Sequence, residues 1–344
     1  MFKKIKFDRF TIFKKLTVDF SPGINVFIGT NGTGKTHILN TVHAAADITK
    51  TKKNFADKIL GVFMPSSLQL GRLVHREGVS STASAAITRR LKTNGDATLR
   101  VSFSNHATRS DSAKVTGINK WCSESIESVY IPVKEMLSNA PGFRSMVASR
   151  ELHFPDVYVD IIDSALKPLL RGPIGTDRKR ILNCLQKAMD GKVTVKKEEF
   201  FLRNKQGNLE FSLLAEGLRK LGLLWVLIQN GTLLNGSLLL WDEPEANFNP
   251  NLTKSIVEIL LELQRMGVQI LLATHDYVLL KELDLQAKLT DKVAFHSLYR
   301  QLDTQTIAVD TTSEYLKIHP NAIAQTFAGL YDRDVERALG GQQE

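Results

Sequence analysis

Cysteine is scarce: Cys122 and Cys184 are the only two in 344 residues, with neither metal-ligand spacing nor the density of a disulfide framework. Both read as ordinary reduced thiols. Long apolar runs are missing too. The longest, at 221–228 and 238–241, fall far short of the ~18 to 20 residues that span a bilayer. The opening MFKKIKFDRF has no apolar stretch of signal-peptide length, so the expectation is a cytoplasmic protein with no membrane partner. No low-complexity tract or internal repeat is visible, which excludes disorder and solenoid arrays.

What is present is an ordinary globular composition, 43% hydrophobic and 24% charged, long enough for about two domains at ~150 residues each. Lysine and arginine number 45 against 36 aspartate and glutamate, a net +9. That excess attracts polyanions and leaves nucleic acid open as a partner. Along the chain, alternation over 11–20, a Ser21-Pro22-Gly23 turn and the apolar run 24–28 predict two strands. A glycine loop and a helix follow. Strand-like segments at 97–103 and 127–132, a helical pattern over 145–190 and a hairpin around the Asn204-Lys205-Gln206-Gly207 turn come next. Helices at 216–229 and 252–266 then alternate with apolar strands at 237–241 and 268–273, the pattern of parallel pairing. A hairpin over 292–310 and two short helices end the reading. The expected fold class is α/β, with core segments 1–50 and 211–344, residues 51–132 partly completing a β subdomain, and a helical insertion with a β-hairpin over about 133–210.

Gly29-Thr30-Asn31-Gly32-Thr33-Gly34-Lys35-Thr36 fits G-x-x-x-x-G-K-[ST] between a predicted strand and a predicted helix. The glycines let backbone N–H groups turn inward around phosphates, and the helix N-terminus adds positive partial charge. Lys35 is expected to reach the β and γ phosphates of ATP, and Thr36 to ligate Mg2+. His37, next on the helix, is counted with the loop. The apolar strand 238–241 ends in Asp242-Glu243. Asp242 is the expected metal partner, and Glu243 is placed to take a proton from attacking water. Strand 268–273 ends in Thr274-His275-Asp276, on the sheet edge where ligands bind, so His275 is a candidate contact to the γ phosphate.

The stretch Asp242-Glu243-Pro244-Glu245-Ala246-Asn247-Phe248-Asn249-Pro250 resembles the Walker B and D-loop segment of ABC-type ATPases, and Thr274-His275-Asp276 resembles their switch-histidine loop. The pattern is most similar to the RecF, SMC and OLD-like branch. Residues 130–137 and 215–221 resemble stand-alone AAA-type ATPases of bacterial anti-phage systems such as Septu or PARIS. The resemblance implies an ABC-type P-loop fold, a Mg-dependent ATPase, and a site completed in trans by a second copy, in a dimer or higher homo-oligomer. It further implies a sensor or scaffold subunit acting on a separately encoded effector, a nuclease. The alternatives are a RecF-like DNA-maintenance ATPase that binds DNA directly and a degenerate module that binds nucleotide without hydrolysis.

The departures from the family pattern fall at two places. The signature segment reads Leu214-Ala215-Glu216-Gly217, with alanine where the family has serine; Gly217 keeps the expected backbone approach, and Arg219 or Lys220 is the expected offset to Glu216. No glutamine stands at the Q-loop, where Lys134 and Glu135 are the candidates to sense metal or phosphate. Arg9 is a candidate base or ribose contact. Basic groups at Arg89-Arg90-Lys92, Arg178-Lys179-Arg180 and Lys192-Lys196-Lys197 are candidate contacts to a nucleic-acid backbone. The acidic nuclease domain of OLD-family proteins has no counterpart in the reading.

Overall fold

The computed structural model describes residues 1–76, 80–93, 95–149 and 152–339. The chain opens with β1 (Phe2–Phe10) and β2 (Phe13–Asp19), followed by β3 (Ile24–Ile28), the glycine loop and α1 (Lys35–Thr51). Next come α2 (Phe55–Phe63), β4 (Thr82–Arg90), β5 (Asp96–Ser104), β6 (Lys114–Thr116), α3 (Ile118–Trp121) and β7 (Ser128–Ile131). The middle of the chain holds α4 (Phe143–Ala148), α5 (Asp156–Ala165), α6 (Thr176–Met189), β8 (Lys192–Lys196), β9 (Glu199–Asn204) and β10 (Gly207–Glu210). It ends with α7 (Glu216–Gln229), β11 (Leu238–Asp242), α8 (Thr253–Arg265), β12 (Gln269–Ala273), α9 (Tyr277–Gln286), β13 (Val293–Arg300), β14 (Ile307–Thr312) and α10 (Ala322–Ala338).

Three sheets result. The central one runs β14-β13-β3-β12-β11-β7 and is parallel apart from the β13–β14 hairpin. Its inner strands are buried on both faces, as the unbroken apolar runs of β3, β11 and β12 require. An antiparallel sheet, β2-β1-β4-β5-β6, lies beyond α1. Its Phe7, Phe10, Ile87 and Val101 join α1 side chains such as Ile38 and Val42 and the Leu238, Leu240 and Leu271 face of the central sheet in one core. The opposite face of the central sheet, with Val26, Leu239, Trp241 and Leu272, packs under helices that include α6, α7 and α8. A small sheet, β10-β9-β8, stands against α7.

Several elements differ from the sequence reading, β6 and α3 among them. β1 was not predicted: Phe2, Lys3 and Lys4 break the alternation where the register shifts in a bulge. β4 reads as Thr-Ala-Ser-Ala-Ala and has little strand propensity of its own; pairing with β1 and β5 on either side makes it a strand. α2 was not predicted, and β8 adds a third strand to the hairpin of β9 and β10. β7 pairs with β11 inside the central sheet, and β4 to β6 extend the sheet begun by β1. Among the described residues, no helix is long and apolar enough to cross a membrane.

A buried cluster of charge fastens α1, α2 and α5. Lys58 of α2 lies 2.7 Å from Asp160, 3.1 Å from Asp156 and 3.3 Å from Asp47, and His43 of α1 bonds Asp160 at 2.8 Å. Burial disfavours the Lys58 charge, but the three carboxylates outweigh it and hold the ammonium above its ordinary value.

Candidate nucleotide site

The glycine loop joins the end of β3 to the start of α1, and sterics dictate its glycines. A Cβ on Gly29 would lie 2.2 Å from the Leu298 carbonyl oxygen, and one on Gly34 would lie 2.4 Å from Phe13. Both have φ in the left-handed range, at 146° and 89°. A Cβ on Gly32 would meet nothing within 4 Å, so only its φ of 78° calls for glycine. Thr33 donates to the Thr30 carbonyl at 2.8 Å and closes the loop from below. Thr30, Asn31 and Thr36 face solvent.

Lys35 is buried, and its ammonium donates to the Gly29 carbonyl at 2.6 Å and the Thr30 carbonyl at 3.3 Å. Burial lowers its pKa; Asp242, Glu243 and Glu245 oppose that shift. Thr36 donates to Asp242 Oδ2 at 2.8 Å, joining loop to strand across 206 residues of sequence. Tyr130 of β7 donates to the same oxygen at 3.3 Å. Burial raises the pKa of Asp242, the charge of Glu243 adds to this, and Thr36, Tyr130 and Lys35 counter it. A hydroxyl beside a carboxylate at the foot of a phosphate-sized loop is the hard-oxygen donor set that magnesium takes.

Because β11, β12 and β3 are parallel, Asp242 and Thr274 emerge on the edge that carries the loop. Glu243 has φ 48°, a left-handed conformation that costs a non-glycine residue of order 1 kcal/mol or more. Its N–H donates to the Ala273 carbonyl at 2.8 Å, and its carboxylate lies 3.5 Å from His275 Nδ1. Glu245 accepts from Thr274 Oγ1 at 2.7 Å and from the His275 N–H at 3.1 Å, which fixes the histidine loop against the Walker B turn. Burial raises the pKa of Glu245, and its second oxygen has no partner among the described residues.

Not every candidate joins this centre. His37 turns its ring toward Phe13 and Phe63 and bonds Thr11 Oγ1 at 3.0 Å. Gly217 is buried: a Cβ there would meet Phe248 at 3.0 Å and the Asn247 carbonyl at 3.1 Å, while Ala215 beside it is exposed. Glu216 accepts from the Asn247 amide at 2.9 Å, and of the two expected offsets the charge of buried Lys220 bears on it. Arg219 pairs with Glu135 at 3.1 Å, and buried Lys220 donates to the Ala246 carbonyl at 2.9 Å. Glu135 is therefore tied to α7 and to Ser138, while Lys134, the other Q-loop candidate, is exposed. Arg9, the candidate base or ribose contact, lies in β1 and donates to the Thr82 carbonyl at 3.3 Å.

Among the basic groups, Arg89 is a correction. It is 2% exposed, donates to the Trp121 and Glu124 carbonyls and lies 4.9 Å over the Trp121 ring, so it cannot meet a nucleic acid. Arg90 pairs with Asp96 at 3.2 Å and Arg180 with Glu262 at 3.0 Å, and Arg178 donates to the Gln229 carbonyl. Tyr130 and Glu245 were not singled out from the sequence. The signal available for Tyr130 was its place in a strand-like segment, and only the β7–β11 pairing sets it beside Asp242.

A family model described as "AAA domain, putative AbiEii toxin, Type IV TA system" matches residues 24–281. The DNA replication and repair protein RecF of Streptococcus thermophilus is 38% identical over 74 residues, 22% of this chain and 20% of RecF. RecF of Streptococcus uberis is 36% identical over 80 residues, 23% of this chain and 22% of RecF. The match thus spans about a fifth of these relatives. Among solved structures, an SMC head bound to the C-winged helix domain of ScpA aligns with TM-score 0.57 and 14% identity, covering 92% of this chain and 99% of that one. The SMC head with a coiled coil and joint from Pyrococcus yayanosii gives 0.57 and 9%, covering 94% and 99%. At such identities the likeness is one of fold, an α/β P-loop core of the SMC-head type. The family match runs from β3 through the loop, Asp242 and His275 into α9, and the chain belongs to this family of AAA-type ATPase domains.

Proposed function

We propose that the chain hydrolyses ATP and uses the cycle to change its association with a second copy and with an effector. One observation carries the reading: Thr36 and Asp242 are hydrogen-bonded at 2.8 Å at the foot of the loop, on the edge where Glu243 and His275 stand 3.5 Å apart. In this reading the triphosphate enters the loop, and Lys35 exchanges its two carbonyl partners for phosphate oxygens. Gly29, Thr30, Asn31, Gly32, Thr33 and Gly34 supply the cradle, and His37 contributes through backbone only. Thr36 and Asp242 would hold Mg2+, which when bound would supply positive charge to offset that of the phosphates. Glu243 accepts the proton of the attacking water, and His275 donates toward the γ phosphate as its charge grows.

Ala215, exposed at the start of α7, supports closure over the nucleotide of a partner copy, with Gly217 shaping the turn beneath it. ATP would then close two copies and hydrolysis open them, a bistable element that another protein can read. The effector reading, a separately encoded nuclease in a bacterial anti-phage complex acting in the cytoplasm, rests on analogy with the stand-alone ATPases named above. The second reading is RecF-like DNA maintenance, favoured by the short RecF match.

The test is Glu243→Gln. It should bind ATP like the parent while turnover falls by about 10²-fold or more, the usual share of a general base. Unchanged turnover would remove Glu243 from the role. Tagged Glu243→Gln protein, expressed with its native flanking genes and recovered with ATP, should carry a neighbour-encoded nuclease. Recovery of DNA and replication proteins alone would favour the second reading.

A further inference from the structure

Residues 176–205 hold nine of the chain's lysines and arginines against four aspartates and glutamates, a net +5 of the total +9. Part of that charge is spent internally, on Arg178 and Arg180. Four of the other seven converge on one cleft, and of these only Lys192 belongs to a group named from the sequence. A cleft of about 720 Å³ opens between the C-terminal half of α6 and the β8–β9 edge, lined by Lys187, Lys192, Arg203 and Lys205. All four are exposed, and none forms an ion pair among the described residues. Asp190 is the single carboxylate in the lining, and Asn183 and Asn204 add neutral amides.

We propose that this cleft binds the sugar–phosphate backbone of a nucleic acid and that α7 carries its occupancy to the nucleotide site. Charge accounts for attraction to any polyanion; the character of the lining narrows the class. Every lining side chain is polar and the remaining residue is Gly191. A protein partner would bring apolar surface needing an apolar counterpart at the centre of its interface. A phosphate backbone needs only cations and hydrogen-bond donors. With no aromatic side chain in the lining to stack a base, the binding is independent of sequence.

The route inward is short. β8 leans on α7 so closely that a Cβ on Gly222 would lie 3.2 Å from Val193 and 2.6 Å from Phe211. α6 packs along the same helix. In its first turns, just before Gly222, α7 grips the turn after Glu243, through Lys220 to the Ala246 carbonyl and Glu216 to Asn247. A shift of α7 therefore moves the turn that carries the general base of the proposed reaction. The binding stands apart from the ATPase reading, and the coupling rests on that reading only in supposing that nucleotide occupies the loop.

The experiment measures anisotropy of labelled 20-mer single strands and duplexes, of DNA and RNA, with the full chain over a salt series. Wild type should bind with no sequence preference. Reversing Lys187, Lys192, Arg203 and Lys205 to Glu should weaken binding by ~10²-fold or more and flatten the log–log salt slope by about 3 to 4, near 0.9 per lost phosphate contact. Reversing four exposed cations elsewhere, Lys254, Lys288, Lys317 and Arg333, gives the same net charge and should cost less than ~3-fold. Equal loss in both variants, no binding by wild type, or equal binding of polyglutamate would each overturn the site. Coupling is read as a change in affinity for a fluorescent ATP analogue when oligonucleotide saturates, which linkage makes reciprocal. A shift present in wild type and absent in the cleft variant supports it. An unshifted affinity overturns the α7 route and leaves the binding result standing.

Discussion

Asp242 is buried, and three groups bear on one of its oxygens or its charge: the hydroxyls of Thr36 and Tyr130, and Lys35. Burial still dominates and lifts its pKa, with the Glu243 charge adding to the rise. The native state then holds the proton more tightly than the unfolded chain does, so stability falls as pH rises through the unfolded value to the folded one. At neutral pH the ionised carboxylate is a net cost to the fold. Asp242→Asn should therefore stop turnover while stabilising the protein by about 0.5–2 kcal/mol, as functional-site substitutions can; a lower melting temperature would contradict this. Tyr130 acts at the same oxygen from the neighbouring strand. Its phenol is pushed well above its ordinary value by burial and then by the Asp242 charge, so it stays a donor. Tyr130→Phe forfeits one hydrogen bond, worth ~0.5–1.5 kcal/mol, and should lower kcat about 3- to 10-fold with KM for ATP nearly unchanged. A purely structural tyrosine would lower the melting temperature and leave kcat alone.

The cluster of α1, α2 and α5 ties the helix after the glycine loop to the middle of the chain through Lys58, whose side chain is 1% exposed. Removing one partner of a buried ion set leaves uncompensated charge, so Lys58→Met should cost about 3–5 kcal/mol in a denaturant titration. Burial alone would raise the pKa of Asp160, but the hydrogen bond and charge of His43 and Lys58 outweigh it and draw the carboxyl from 3.8 to about 2. A depressed carboxyl gives stability that is complete above its unfolded value and lost as pH falls through the folded one. Wild type should thus lose stability steeply between about pH 4 and 2, and Asp160→Asn should show a flatter acid limb by circular dichroism. Elements also show where local pattern misleads. β4, with its three alanines, is held by neighbours remote in sequence, whereas β3 and β11 announce themselves as apolar runs.

At the scale of the whole molecule, the loop stands uncovered on one edge of the central sheet. Thr30, Asn31, Gly32 and Thr36 are exposed on the sheet edge, and Ala215 is exposed at the start of α7. If two copies close over nucleotide, Glu243→Gln protein with ATP and Mg2+ should elute as a dimer in size-exclusion chromatography with light scattering, and as a monomer without nucleotide. A monomer under both conditions would remove closure in trans and leave a reaction confined to one chain.

The loop, its strand and helix, the acidic pair after β11 and the histidine after β12 are all legible in the sequence. Each is written in consecutive residues whose backbone pattern and chemistry are local. The sequence did not determine what long-range contact decides. Arg89 and Glu135 read as free charges because their partners, Trp121 and Arg219, lie far along the chain. Tyr130 met Asp242 only when β7 paired with β11, and Lys187, Arg203 and Lys205 met only when α6 folded against β9. A side chain's neighbours across a fold are set by packing and pairing, and these leave little trace in the spacing of residues along the chain.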